Sequence, residues 1–479
     1  MPNVKLADRL FLTADSTQTP QHVAALGIFA PPDGAPDDFV ATLADRFRAI
    51  RHFQPPFNYR LTHPRLKAVA PTWRELEDDE IDLDFHFRHN ALPRPGGQRE
   101  LGQLVSRLHS RALDPTRPLW ELHLIEGLDD GRFALYFKVH HALMDGIGGV
   151  KRFTGMVTPD PADDELRPIW TIGPRHRTRT SDGRSAPGRV LAAATAGTRL
   201  TAGLTRVAAR MARDTVHAGD AARATPFAVP RSPLNGPIGQ QRRIATQTYD
   251  FARIRAIATA AGVTINDVFL AICAGGLRRY LDDLDALPDR SLVAGTPVSI
   301  RVGDDDASTN AFTMTVMKLC TDVADPVERL AAIRRSSTLA KDSLSRLDRS
   351  VVENQAALFM GPFIAQQLTP LAGHLPPPYN VSVSNVPGPI EPQYLAGTRL
   401  ESLAPLALIY HGVGLFIAAF TISGAFTIGF VGDRDSLPHL QRLAVYAGEA
   451  LQELELRSRA GDLVLRQVTS ARRNGANVA

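Results

Sequence analysis

Apolar residues in this chain alternate between short unbroken runs and helical spacing, and the switches outline strands interleaved with helices. Residues 23–29 form an apolar run of strand length. Residues 37–50 carry apolar positions three and four apart, which predicts an amphipathic helix, and a second helix is expected over 101–112. Residues 122–127 and 133–140 read as two strands joined by the Asp129-Asp130-Gly131 turn. The same mixture resumes further on, with a strongly apolar helix over 267–281, strands over 291–300 and 311–319, a helix over 323–347 and a last helix over 437–457. Two more strand runs, 415–422 and 425–431, flank Ser423-Gly424, which is hairpin-turn chemistry. From Ala404 to Gly432 nothing is charged apart from a chargeable His411, a length that suits a membrane-spanning helix. The Phe, Ile, Thr and Val content, broken by Gly412, Gly414, Gly424 and Gly429, favours a buried β-hairpin instead.

Between the two mixed regions the pattern changes twice. Residues 159–188 are rich in Pro, Arg, Thr and Ser with little periodicity, the character of a linker. Over 189–222, Leu200, Leu204, Val207 and Met211 fall on one helical stripe, and Arg199, Arg206, Arg210 and Arg213 cluster on a flank about 120° away. Such a basic amphipathic helix can lie on a lipid surface or pack on its own protein as a crossover, and the residues leave both open. The division expected is a domain over 1–158, a linker with the basic helix over 159–241, and a second domain over 242–479. Two α/β halves of similar size invite a site at their interface.

Composition narrows the classes of function. The 479 residues, 44% hydrophobic and 22% charged, are enough for a globular protein of two ordinary domains. The net charge is +4, and only six of the 54 basic residues are lysine. Aromatics are not interleaved with the basic residues as a nucleic-acid groove requires, so no nucleic-acid partner is expected. An anionic ligand or membrane surface fits the charge better. Cys273 and Cys320 both sit in apolar surroundings, which argues against a disulfide framework and against zinc, and no metal site is expected. Met1-Pro2-Asn3-Val4-Lys5 leads into no long apolar stretch, so the expected location is cytoplasmic, with peripheral attachment to a membrane or lipid inclusion left open.

The chemistry concentrates in His140-His141-Ala142-Leu143-Met144-Asp145-Gly146, at the end of the strand run 133–139. Neighbouring strand residues point to opposite faces, so the two histidines cannot share one cavity. One is then a structural partner and the other is free for base chemistry, which a free pKa near 6.5 suits. A buried, hydrogen-bonded pair closing a strand is the plainer alternative. Asp145 could orient a histidine or anchor the turn. Gly146-Ile147-Gly148-Gly149 lies too close to the histidines to read as a nucleotide loop, and no phosphate-binding glycine loop opening a helix is expected.

These residues, with several others in order, resemble the bacterial wax ester synthase/diacylglycerol acyltransferase family over nearly the whole chain. The resemblance rests on Thr19-Pro20-Gln21-His22-Val23, Pro118-Leu119-Trp120-Glu121, the His140–Gly146 run, Asn266-Asp267, Pro297-Val298-Ser299-Ile300-Arg301 and Ser384-Asn385-Val386-Pro387-Gly388-Pro389. The two-histidine signature alone is shared with chloramphenicol acetyltransferase-like enzymes and peptide-synthetase condensation domains. The resemblance implies an α/β fold of two chloramphenicol acetyltransferase-like domains, mixed sheets flanked by helices, with the active site in a tunnel between them. It implies transfer of a fatty acyl group from acyl-CoA to diacylglycerol or a long-chain alcohol, with acyl-CoA as co-substrate and no other cofactor.

By position, His141 would be the general base beside His140, and Asp145 would support the site. An oxyanion donor is needed. Asn385 is the first candidate and Asn266 the second, though Asn266 also suits a helix N-cap and Asn385 a turn. Arg301 could pair with Asp145, bind CoA phosphate or be an ordinary surface arginine. Trp120 is expected to anchor the core. Acyl transfer from a carrier-protein thioester, and a weakly active lipid-binding relative, are the alternatives.

Overall fold

The structure, a computed structural model, describes residues 4, 6–68, 70–173, 222–299, 312–345 and 363–463. Its strands are β1 (His22–Ala30), β2 (Tyr59–Leu61), β3 (Trp73–Glu75), β4 (Phe87–Ala91), β5 (Trp120–Glu126), β6 (Phe133–His140), β7 (Arg242–Asp250), β8 (Val293–Ser299), β9 (Phe312–Lys318), β10 (Val381–Val386), β11 (Gln393–Leu395), β12 (Thr398–Leu406), β13 (Leu415–Ile422) and β14 (Ala425–Asp433). They form two six-stranded mixed sheets, ordered β11-β12-β1-β6-β5-β4 and β7-β14-β13-β10-β8-β9, with β2 and β3 as a separate pair. The expected hairpin is β13–β14, paired in full antiparallel register from Leu415↔Gly432 to Ile422↔Ala425.

The division of the chain at residue 241 does not follow the sheets. Strands β11 and β12 come from the second half, yet β12 lies antiparallel to β1 of the first sheet, from Ala24↔Leu406 to Ala30↔Arg399. The two sheets meet at this crossing. A Cβ on Gly429 of β14 would come within 2.3 Å of the Pro405 carbonyl oxygen, so glycine permits the contact. The stretch read as a linker also departs from expectation at both ends. Trp170 is fully buried, its indole N–H donating to the Ile50 carbonyl at 3.1 Å, and Leu234 and Ile238 are buried too. The basic helix expected around 199–213 lies outside the described residues.

Helices cover the sheets as the apolar spacing requires. Phe39–Ala49 buries Leu43, Ala44 and Phe47 in the cluster on one face of the first sheet, and Gln98–Ser110 packs Leu101 and Val105 on the opposite face. The second sheet carries Phe251–Ala261, Ile265–Asp282, Pro326–Ser345 and Leu440–Arg459. Gly262 ends the first of these four in the left-handed conformation (φ 61°), and Thr264 caps the next by accepting from the Asp267 N–H. The two helices are apolar enough together to span a membrane, but they bend by 104° and the longer one is largely buried. Among the described residues no single helix is long and apolar enough to cross a membrane.

Candidate active site

His140 is the last residue of β6 and His141 follows it directly, and the two rings have different partners. His140 is the fixed one. Its Nδ1 accepts the Ala142 N–H at 3.0 Å, which shapes the turn, and its Nε2 points to Asp15 Oδ1 at 3.8 Å. Asp15 is itself held by Lys67 Nζ at 2.6 Å and accepts the Gln21 N–H at 3.0 Å.

His141 continues the antiparallel register of β1 and β6, donating its backbone N–H to the Gln21 carbonyl at 2.8 Å. Its ring stacks on Phe11, centroids 3.9 Å apart and planes 18° apart. Burial pulls the His141 imidazole down to about 4, against the opposing attraction of Asp145 and of the residue's own carbonyl. At neutral pH the ring is therefore uncharged, the form a general base needs.

Asp145 has a clear structural task. It is the N-cap of the helix Gly146–Gly155, its Oδ1 accepting from the Gly148 N–H at 2.6 Å, and its charge favours the protonated form of His141. The glycine run after the histidines opens this helix, and capping by Asp145 offsets the poor intrinsic propensity of glycine. These two roles can be separated. Asp145→Ala is expected to lower stability by about 0.5–2 kcal/mol through loss of the cap. Asp145→Asn is expected to keep the melting temperature while weakening His141 as a base, and calorimetry beside initial rates reads both.

Trp120 anchors the core as expected. It is fully buried, donates to the Phe57 carbonyl at 2.8 Å and stacks between His86 and Trp170 at 4.5 and 5.6 Å. Asn266 is not the cap of its helix. Thr264 is, and the buried Asp267 accepts from Thr264 and, at 2.6 Å, from the Ser337 hydroxyl, tying two helices together. Asn385 lies half-buried near the end of β10, opposite Ala419 of β13. Strand β10 pairs with β8 only at Val381↔Ala294 and Ser382↔Gly295, so the sheet opens where Asn385 sits. Arg301 lies outside the described residues.

Three features escaped the sequence reading. One is the Phe11 stack, for which a lone aromatic in an N-terminal helix gives no signal. The second is the Asp15–Lys67 pair behind His140. The third is a buried polar layer on the His140 side of the first sheet. There Lys138 Nζ donates to the carbonyls of Leu108 and Arg111, both at 3.1 Å, and pairs with Glu121 at 3.3 Å, while Glu121 also holds His123 at 3.1 Å. The alternation of Glu121 with His123, and of Tyr136 with Lys138 and His140, carries this signal, since a strand places every second residue on one face.

Comparison with known proteins identifies the family. Residues 5–269 match the wax ester synthase/diacylglycerol acyltransferase catalytic domain, and residues 308–455 match the C-terminal domain of the same enzymes. A probable diacylglycerol O-acyltransferase of Mycobacterium tuberculosis is 41% identical over 462 residues, covering 95% of this chain and 98% of the relative. The solved wax ester synthase/diacylglycerol acyltransferase from Marinobacter aquaeolei VT8 superposes with a TM-score of 0.77 at 36% identity, over 96% of this chain and all of that one. The first condensation domain of the calcium-dependent antibiotic synthetase shares the fold, with a TM-score of 0.56 at 16% identity over 97% of this chain and 98% of that domain. The chain belongs to the wax ester synthase/diacylglycerol acyltransferase family.

Proposed function

We propose that this protein is an O-acyltransferase that moves a fatty acyl group from acyl-CoA to the hydroxyl of diacylglycerol, giving triacylglycerol, or of a long-chain alcohol, giving a wax ester. The observation that carries the reading is the division of labour between the histidines. Burial keeps both rings uncharged, but the His140 Nδ1 is committed to the turn, whereas the His141 ring stacks on Phe11 beside Asp145, in a chain that belongs to this family.

The alcohol is a poor nucleophile until its proton is taken. The His141 imidazole removes that proton as the hydroxyl oxygen attacks the thioester carbonyl, giving a tetrahedral oxyanion and an imidazolium. Collapse breaks the C–S bond, and the imidazolium returns its proton to the departing thiolate. The products are the ester and CoA. Burial around His141 excludes water, which disfavours thioester hydrolysis. Asn385, where β10 and β8 part, is the first candidate for the oxyanion donor, and Asn266 the second. Arg301 is the candidate for CoA phosphate. The family's substrates imply work at a lipid surface, and Leu368, Leu371 and Leu375, which are 56%, 54% and 44% exposed, offer apolar side chains for it.

The test is release of CoA thiol from palmitoyl-CoA by the purified protein, with dioleoylglycerol or hexadecanol as acceptor and the ester identified by mass spectrometry. Acceptor-dependent release is expected, and the faster acceptor names the principal product. Release that is the same with and without either acceptor would contradict the reading.

A further inference from the structure

A cavity whose lining includes neither His140 nor His141 lies in the seam between the two sheets. It is a cleft open to solvent of about 860 Å³, within the roughly 300–1,000 Å³ typical of ligand sites. Its walls come from both halves of the fold: the helix Gln98–Ser110, the face of β1 and β12, the edge strand β7 and the helix Leu440–Arg459. Leu26, Ile28, Leu101, Ala404 and Ala444 make part of the lining apolar. At Gly102 an added Cβ would meet only one atom within 4 Å, the Ile244 carbonyl at 3.8 Å, so the absence of a side chain there keeps the space open.

The charged groups on the lining are mostly basic. Glu401, the one acid among the described lining residues, is already held by Arg132 at 2.9 Å and by Arg399 at 2.5 Å. Arg99 and Arg243 also line the cavity, and no acidic side chain among the described residues pairs with either. Strand β7 adds backbone donors. Its Arg242 and Ile244 turn their N–H groups outward, onto the hydroxyls of Ser110 at 2.8 Å and Ser106 at 3.0 Å. Alternation along the strand places the N–H groups of Thr246 and Thr248 on that same outer edge, where they border the cavity.

Apolar walls, two uncompensated guanidinium groups and free edge donors call for an amphiphile with an anionic head. We propose that this seam is a binding site for a long-chain fatty-acid anion, distinct from the acyl-transfer site, with the chain along the apolar lining and the carboxylate against Arg99 and Arg243. Because its walls belong to both sheets, occupancy would hold the halves of the enzyme together, so the free acid that acyl-CoA derives from could act on the protein without entering the reaction.

The inference goes beyond the acyltransferase reading, and its test does not depend on turnover. The full-length His141→Ala protein is irradiated with palmitate carrying a diazirine on its chain, and the adducts are mapped by mass spectrometry. Labelling is expected in segments 98–105 and 243–248, competed by palmitate and not by hexadecanol, which lacks the charge. Arg99→Glu with Arg243→Glu is expected to cut this labelling at least tenfold, and Gly102→Leu to remove it by filling the space with the charges intact. With His141 restored, Gly102→Leu should retain acceptor-dependent CoA release, which shows that the fold and the reaction site survive. Adducts confined to other segments, labelling that persists in both variants, or equal competition by hexadecanol would overturn the proposal.

Discussion

Replacing His141 with alanine is expected to lower acceptor-dependent acyl transfer by about 10²–10⁴-fold, the range that a general base supplies. The variant also loses the stack on Phe11 and the attraction between the ring and Asp145, so the rate is read beside the melting curve and counted only per folded molecule. Replacing His140 is expected to act the other way round. Its Nδ1 is the acceptor for the Ala142 N–H, and its loss leaves that buried donor unpaired and Asp15 without its neighbour. The expected cost is about 1–3 kcal/mol of stability, with a rate that falls as folded protein is lost. Initial rates by thiol release beside calorimetric melting curves separate the two effects. A His140 variant that melts normally yet is inactive, beside an active His141 variant, would exchange the roles assigned here.

The second large effect is on stability in mild acid. Burial pulls His86, His140 and His141 down to about 4 and His109 to about 3, and lowers His22 and His123 as well. Each of these groups binds its proton near pH 6.5 when unfolded and only at much lower pH when folded. Between about pH 6.5 and 4 the unfolded chain therefore holds more protons than the native one, and stability rises with pH across that window. Each histidine contributes up to about 1.4 kcal/mol per pH unit there. Several acting together are expected to unfold the protein between about pH 6 and 5. Carboxylates held down by partners, such as Asp82 by Arg117, change only below their own unfolded values near 4 and cannot produce a loss at pH 5.5. The acid limb of the activity profile should then follow unfolding rather than titration of His141. Denaturant midpoints from pH 7.5 to 5 measure it. A midpoint unchanged down to pH 5 would show that these histidines are not buried uncharged.

Much of this architecture was legible because the signals are local. The run at 23–29, the hairpin around Ser423-Gly424 and the helices after residues 37 and 101 each carry their own period and turn residues, and the structure has them within a few positions. The different partners of His140 and His141, the turn N–H for one and the Phe11 ring for the other, agree with the expectation that the two do not share one role. The pairing of β12 with β1 was not legible, since it joins residues nearly four hundred positions apart and nothing local marks it. Trp170 was a usable hint that the supposed linker packs, because a large aromatic in a polar stretch generally finds a core. The N-cap alternative for Asn266 fails because the cap lies two residues earlier, where Thr264 with Asp267 is the stronger capping pair. The helix after Asp145 was not legible because three glycines in four residues carry little helical propensity, while a side-chain acceptor and tertiary packing decide it.

Direct attack of the alcohol with His141 as base leaves no place for an acylated enzyme. The most direct test is the intact mass of the protein after it is mixed with one equivalent of palmitoyl-CoA in the absence of acceptor, with free CoA measured in the same sample. The account predicts unmodified protein and no CoA until dioleoylglycerol or hexadecanol is added, when ester and CoA should appear together in equal amounts. A palmitoyl-protein adduct that forms with stoichiometric CoA release before any acceptor is present, and is then consumed by it, would contradict the account.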